Sequence, residues 1–174
     1  MSFKESTSRE APARRSPSAR GHPGPLFLTL LLAAAPLLAS GNRVTPPKDM
    51  DPDLLRAILA IRTGFMSQST TPLLPLIPDT AKIYLAVNDI ASEESYYSSD
   101  QIQTLLAAAF ATHRTVEFMV RLDRIRVVDE KSQVVLCPAW WTFESHGARR
   151  KITLRFLLTR QSADWALKEI RETR

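Results

Sequence analysis

The stretch from Thr115 to Leu158 constrains the fold more than any other part of the chain, because three long runs of alternating side chains follow one another with only short polar breaks. In the first, Val116, Phe118, Val120 and Leu122 alternate with Glu117, Met119, Arg121 and Asp123. The apolar set then changes parity to Ile125 and Val127, so a bulge near Asp123-Arg124 is expected to bend one long strand. The second run, Val134 to Phe143, is apolar on both faces: Val134, Leu136 and Trp140 share one, and Val135, Cys137, Trp141 and Phe143 the other. A strand buried on both sides of an antiparallel sheet needs helices over one face and a partner or a lined cavity over the other. Pro138 has no N–H for a ladder, which predicts a bulge or an edge there. His146-Gly147 turns the chain, and Ile152, Leu154, Phe156 and Leu158 face inward from the third strand. Trp165, Leu167 and Ile170 suggest a last strand, although WALKEIRETR by itself also fits a helix.

The segments before these strands read as packing for them. Asp51-Pro52-Asp53-Leu54 is a helix start with acids at the positive end of the helix dipole. Leu54, Leu55, Ile58, Ile61 and Phe65 then recur at helical spacing, giving one buried face. Ser69-Thr70-Thr71-Pro72 ends or kinks that helix, and Pro72, Pro75 and Pro78 limit residues 72–78 to a short helical turn or irregular chain. Lys82 to Val87 predicts a short strand with Ile83, Leu85 and Val87 on one face, and residues 88–97 a polar loop or a returning hairpin arm. Ser98 stands three before Gln101, a capping-box spacing that opens a helix to Thr112, with Ile102, Leu105, Leu106, Ala109 and Phe110 as its buried stripe.

The first 41 residues have a different character. Residues 1–24 carry a net charge of +3, residues 26–39 (LFLTLLLAAAPLLA) are uncharged and apolar, and Ala39-Ser40-Gly41 supplies small exit residues. Basic segment, apolar run and small exit form a secretory signal peptide, which predicts a secreted or periplasmic domain. A membrane tether through residues 26–39 is the alternative, opposed by the short length of the run and by Pro36. Arg14-Arg15 invites a twin-arginine reading but lies far from the apolar run. Residues 42–51 are then a linker and residues 52–174 a single domain. Of the formal net charge of +5 only about +2 remains outside the leader, so no nucleic-acid footprint is expected.

The order of helix, helical turn, strand, helix and antiparallel strands resembles the nuclear transport factor 2-like superfamily. YYSSDQIQTLLAAAF ahead of the long bent strand and the closing DWALKEIRET are similar to small exported bacterial members without assigned activity. The resemblance covers roughly residues 52–172. It implies an α+β fold with N-terminal helices packed on a strongly bent antiparallel sheet, a cystatin-like or nuclear transport factor 2-like cone. It also implies a cavity between helices and sheet and a homodimer through the outer sheet face.

Isomerases and dehydratases of that superfamily use an Asp or His base and a Tyr or acid donor inside the cone. Candidates here are Tyr84, Asp89, His113, Trp140 and Glu144, with Trp140 and Trp141 on opposite faces of one strand. Each has a plainer reading: Tyr84 as a rim tyrosine, Asp89 as a turn residue, His113 as charge at a helix end, Glu144 and His146 as solvated turn neighbours. No tyrosine lies on the first helix to act as an oxyanion donor, so the isomerase set is not reproduced. Tyr84, Trp140, Trp141 and His113 are the candidate ligand-binding residues. Arg121, Arg124, Arg126 and Arg155, with Arg149, Arg150 and Lys151, make a candidate basic patch for an anionic ligand or an acidic partner, unless they simply form a solvated outer face. One cysteine and three histidines give no metal-ligand spacing and no disulfide, and no glycine-rich phosphate loop exists, so neither metal nor cofactor is expected. The expected function is an exported, non-enzymatic binding or interaction domain for a small apolar or anionic ligand or a protein partner. An isomerase- or dehydratase-like enzyme and a purely structural dimerisation module are the alternatives.

Overall fold

The computed structural model describes residues 50–129, 131 and 133–173. The signal, the tether alternative and almost all of the linker fall outside the described residues. Among those described, no helix is long and apolar enough to cross a membrane.

Helix α1 (Pro52–Ser67) opens on Asp51, whose Oδ1 accepts a hydrogen bond from the Asp53 backbone N–H at 2.9 Å. It closes on Gln68 in the left-handed conformation. Its buried face is Leu54, Ala57, Ile58, Ile61, Gly64 and Phe65, close to the predicted stripe. Gly64 is required here because a Cβ would stand 2.7 Å from Leu73 of the following 3-10 turn, Thr71–Leu76. Strand β1 (Ile83–Ala86) and β2 (Ser95–Tyr97) pair antiparallel, so residues 88–94 are the loop and Ser95–Tyr97 the returning arm of a hairpin. Helix α2 (Ser99–Thr112) has the predicted capping box, with the Ser98 N–H donating to Gln101 Oε1 at 2.9 Å. Gln68 ties the two helix ends together, its amide donating to the Phe110 and His113 carbonyls at 2.6 and 2.8 Å.

The sheet continues with β3 (Arg114–Val120), β4 (Arg126–Asp129), β5 (Val134–Ser145), β6 (Ala148–Gln161) and β7 (Asp164–Thr173), in the order β2-β1-β7-β6-β5-β3 with β4 also on β5. The last segment is therefore a strand: pairing with β6 along its whole length outweighs its helical propensity. Three expectations need correction. The sheet is not wholly antiparallel, since β1 runs parallel to β7; the two are distant in sequence and no hairpin dictates their sense. The parity change at Asp123-Arg124 is not a bulge within one strand but a complete break, a 3-10 turn over Leu122–Arg124 that separates β3 from β4. Register shifts occur instead at Thr115/Glu117 and Val127/Asp129. Pro138 sits neither at a bulge nor on an edge: it pairs in register with Arg155 on β6, and on its other side faces that break. There its carbonyl accepts from the Arg121 N–H at 2.8 Å and no N–H is asked of the proline.

The helices lie on the inner face of this curled, open sheet, and aromatic rings occupy the space between. Phe65, fully buried, stacks on Phe118 with ring centroids 4.4 Å apart and meets Phe110, Trp141 and Phe156 edge-on at 5.2 to 5.7 Å. The predicted inward set Ile152, Leu154, Phe156 and Leu158 is buried as expected. Burial of rings of this size dominates the core energy, each large side chain contributing about 2 kcal/mol or more.

Candidate functional site

Sheet register decides which side chains share the outer face. Trp140 lies opposite Thr153 on β6 and Met119 on β3, and Pro138 lies opposite Arg155. Alternation along β5 then sends Trp140 outward and Trp141 inward. Trp141 is fully buried, and its Nε1–H donates to Thr115 Oγ1 at 3.0 Å, so its polar atom is satisfied within the core. Trp140 is half-buried and has two cations against its ring: the Arg121 guanidinium lies 4.4 Å from its ring centroid and the Lys151 ammonium 4.3 Å.

The break between β3 and β4 creates an open groove beside that ring, of about 550 Å³, lined by Arg121, Asp123, Arg124, Ile125, Arg126, Pro138, Trp140 and Thr153. Arg121 donates twice to Asp123, at 3.0 and 2.8 Å, and Arg124 lies 3.5 Å from the same carboxylate. Hydrogen bonding from Arg121 holds the Asp123 carboxyl below its usual range and pushes the guanidinium upward in turn. Three guanidiniums thus line the groove with one carboxylate, which Arg121 and Arg124 approach. The fourth predicted patch residue, Arg155, lies on the same face opposite Pro138 but outside the groove lining, paired to Glu169 at 3.0 Å on β7.

Tyr84 is also on this face rather than inside the cone. Its hydroxyl donates to Glu94 at 3.2 Å, its ring meets Tyr96 edge-on at 5.1 Å, and the Arg171 guanidinium covers it at 5.0 Å. His113 is elsewhere, at the end of α2 above the inner aromatic cluster, 4.8 Å from the Phe143 ring. Its Nδ1 faces the Ala109 carbonyl oxygen at 2.9 Å, which requires a hydrogen on Nδ1, and its Nε2 lies 3.8 Å from Asp89 Oδ1. Arg150 donates to that same Asp89 oxygen. The Asp89 side chain is only 9% exposed, and its Oδ2 has no hydrogen-bond partner. Glu144, at the sheet end, pairs with Arg114 and approaches neither site.

Sequence spacing did not bring Asp89 next to His113 and Arg150, nor Glu169 and Arg171 next to Arg155. The signal for the second pair was present: a strand reading of residues 164–173 puts Glu169 and Arg171 on one face, opposite Ile170. The strand reading was made, but strand order and register, which bring these residues beside Arg155, are not written in the segment itself. Among the described residues no group of three or more acidic, histidine or cysteine side chains could hold a metal ion.

No family model matches the chain, and no curated protein matches it. Solved structures do share its fold. A DUF4783 family protein from Bacteroides uniformis superposes with a TM-score of 0.53 at 11% identity, over 67% of this chain and 94% of its own. AusH from Aspergillus nidulans gives 0.53 at 13% identity, covering 74% and 85%. A protein of ketosteroid isomerase-like fold from Catenulispora acidiphila, solved in complex with trimethylamine, gives 0.51 at 12% identity, covering 75% and 87%. Element order, curled sheet and these superpositions agree: the chain has the α+β fold of the nuclear transport factor 2-like, ketosteroid isomerase-like proteins.

Proposed function

We propose that this chain is a non-enzymatic binding domain whose outer sheet face takes an anionic ligand with a flat apolar part, seated on Trp140. The observation that carries this reading is the groove itself: an indole with Arg121 and Lys151 close to its ring, at the edge of a 550 Å³ recess with surplus positive charge. An aromatic platform supplies apolar contact area, and guanidiniums supply fork-shaped donors for a carboxylate or phosphate. Where such a cone would hold a ligand, this protein instead packs Phe65, Phe118, Trp141 and Phe156 against one another, which favours the outer face over the interior. The basic, apolar and small-residue leader supports an exported site of action.

Trp140 is half-buried while Trp141 and Trp165 are buried, so tryptophan fluorescence reports on the groove. Titration with 2-naphthoate is expected to change the emission saturably. The change should vanish in Trp140→Phe and weaken in Arg126→Gln. No saturable change at millimolar naphthoate would sink the reading.

One observation favours a second reading, an isomerase-like enzyme: the unpartnered, buried Asp89 Oδ2 beside His113 is placed like a base. If it acts so, the protein accelerates exchange of the α-hydrogens of a cyclic ketone with D2O, and Asp89→Asn abolishes the acceleration. Exchange at the buffer rate rejects it.

A further inference from the structure

We infer that the outer face carries a second anion site, built by Arg155 and Arg171, and that the two sites together take an extended acidic segment of a partner protein. This rests on the reading of the Trp140 groove as an anion site. Arg155 on β6 stands directly opposite Arg171 on β7, and like charges at that position in a sheet repel. Among the described residues, both arginines have Glu169 as their ion-pair partner. Arg155 donates to Glu169 Oε1 at 3.0 Å, and Arg171 Nε lies 3.3 Å from the same oxygen without forming a hydrogen bond. The Nε atoms of both arginines are buried and without a hydrogen-bond partner. The arrangement is also held in place: the Arg171 guanidinium rests on the Tyr84 ring, and Glu169 is only 18% exposed. Two fixed guanidiniums sharing one acceptor are short of one anion.

Register places this pair in line with the groove. Arg171 lies opposite Arg155, Arg155 opposite Pro138, and the Pro138 carbonyl accepts from the Arg121 N–H. Arg171, Arg155 and Arg121 therefore stand on one row across four strands, a span of about 14 Å at roughly 4.8 Å per strand. An extended polypeptide covers that span in about four residues. Its acidic side chains would reach the two ends of the row, and an apolar one between them would meet Pro138 and Trp140. The open shape of the face decides the class of ligand. Small molecules are bound in concave sites that bury most of their surface, whereas this recess is open to one side, and the arginine pair lies beyond its lining on the same sheet face. Electrostatics argues against a second copy of this chain, because two faces with the same surplus of positive charge repel on approach. Nucleic acid would meet the same charges, but the domain outside the leader carries only about +2 in all.

The test is fluorescence anisotropy with a labelled peptide carrying two Asp-Glu pairs four residues apart and a phenylalanine between them. Saturable binding is expected. The double variant Arg155→Gln/Arg171→Gln should weaken it about tenfold or more, the usual effect of losing a charged hydrogen bond, while 2-naphthoate still binds at Trp140. Glu169→Gln, which removes the internal competitor and keeps both guanidiniums, should tighten the peptide severalfold, and it serves if the double variant fails to fold. Unchanged peptide affinity in these variants, with naphthoate binding intact, overturns the second site and leaves the groove reading standing. An oligothymidylate of equal charge that binds more tightly than the peptide overturns the assignment of the partner. Absence of naphthoate binding in the unmodified protein removes the groove reading itself.

Discussion

Replacing Phe65 with alanine asks directly whether the interior of the curled sheet is packed or available. Phe65 is fully buried at the end of α1 and touches four other rings, with centroids 4.4 to 5.7 Å away. Truncating a buried phenylalanine costs about 3–5 kcal/mol, from lost transfer energy plus the cavity left behind. The ring contacts put this site in the upper half of that range, about 4 kcal/mol. A domain of this size loses about 4 °C of Tm per kcal/mol, so a fall of roughly 15 °C is expected by differential scanning calorimetry. Urea melts should show a lower midpoint with an unchanged slope if the variant still folds in one step. The cavity would be lined by Phe110, Phe118, Trp141 and Phe156, and apolar cavities of this kind stay dry and accept small aromatic molecules. Toluene should therefore raise the Tm of Phe65→Ala and leave the unmodified protein unaffected. A loss below about 1 kcal/mol, or stabilisation of the unmodified protein by toluene, would refute the filled interior, because such small costs belong to sites that are not closely packed.

Other perturbations test the frame that holds the site. Asp51 accepts from Arg160 at 2.6 Å and from the Trp165 indole at 3.2 Å besides capping α1, so it clasps the first helix to β6 and β7. Asp51→Ala should cost about 1–2 kcal/mol, and Asp51→Asn, which keeps the cap, about half of that. The Asp53 N–H, with help from Trp165 and Arg160, holds the Asp51 carboxyl below its usual value. Its contribution is therefore present above the unfolded carboxylate pKa of about 3.9 and lost as pH falls through the folded value. The stability gap between the unmodified protein and the Asp51→Asn variant should close on acidification below about pH 4 in urea melts; a gap that widens there rejects the assignment. Cys137 is buried and its thiol is pushed up to about 12 by desolvation, so a thiol reagent at pH 8 should label it only on unfolding. Gly147 has φ +77° in the two-residue turn after His146, which is itself at +50°, and nothing within 4 Å of an added Cβ. Gly147→Ala should cost about 1 kcal/mol from backbone strain alone, read by the same melts.

The alternation of Ile152, Leu154, Phe156 and Leu158 was legible because a period of two follows from the pleat alone, whatever the strand meets. The Ser98/Gln101 cap and the His146-Gly147 turn were legible for a similar reason: each is satisfied by residues a few positions apart. The parity change at Asp123-Arg124 was visible, but its form was not. A bulge and a chain break differ in what the neighbouring strand offers, and β5 offers Pro138 there. Tyr84 could be read either as a ligand-binding residue or as a rim tyrosine, and its face was set by pairing with Tyr96 and Glu169, partners 12 and 85 residues away.

Local periodicity, capping and turn chemistry placed the two helices with their buried faces, the alternating sets of the long strands, and Trp140 and Trp141 on opposite faces of one strand, while the class of fold followed from the family resemblance that the order of these elements carries. Long-range packing settled that the interior is filled by Phe65 and its neighbours, that β1 lies parallel to β7, and that Arg155 and Arg171 stand side by side on one shared carboxylate. Those outcomes depend on strand order and register between distant segments. They are set by the balance of packing and pairing over the whole sheet, to which no short stretch of sequence has access.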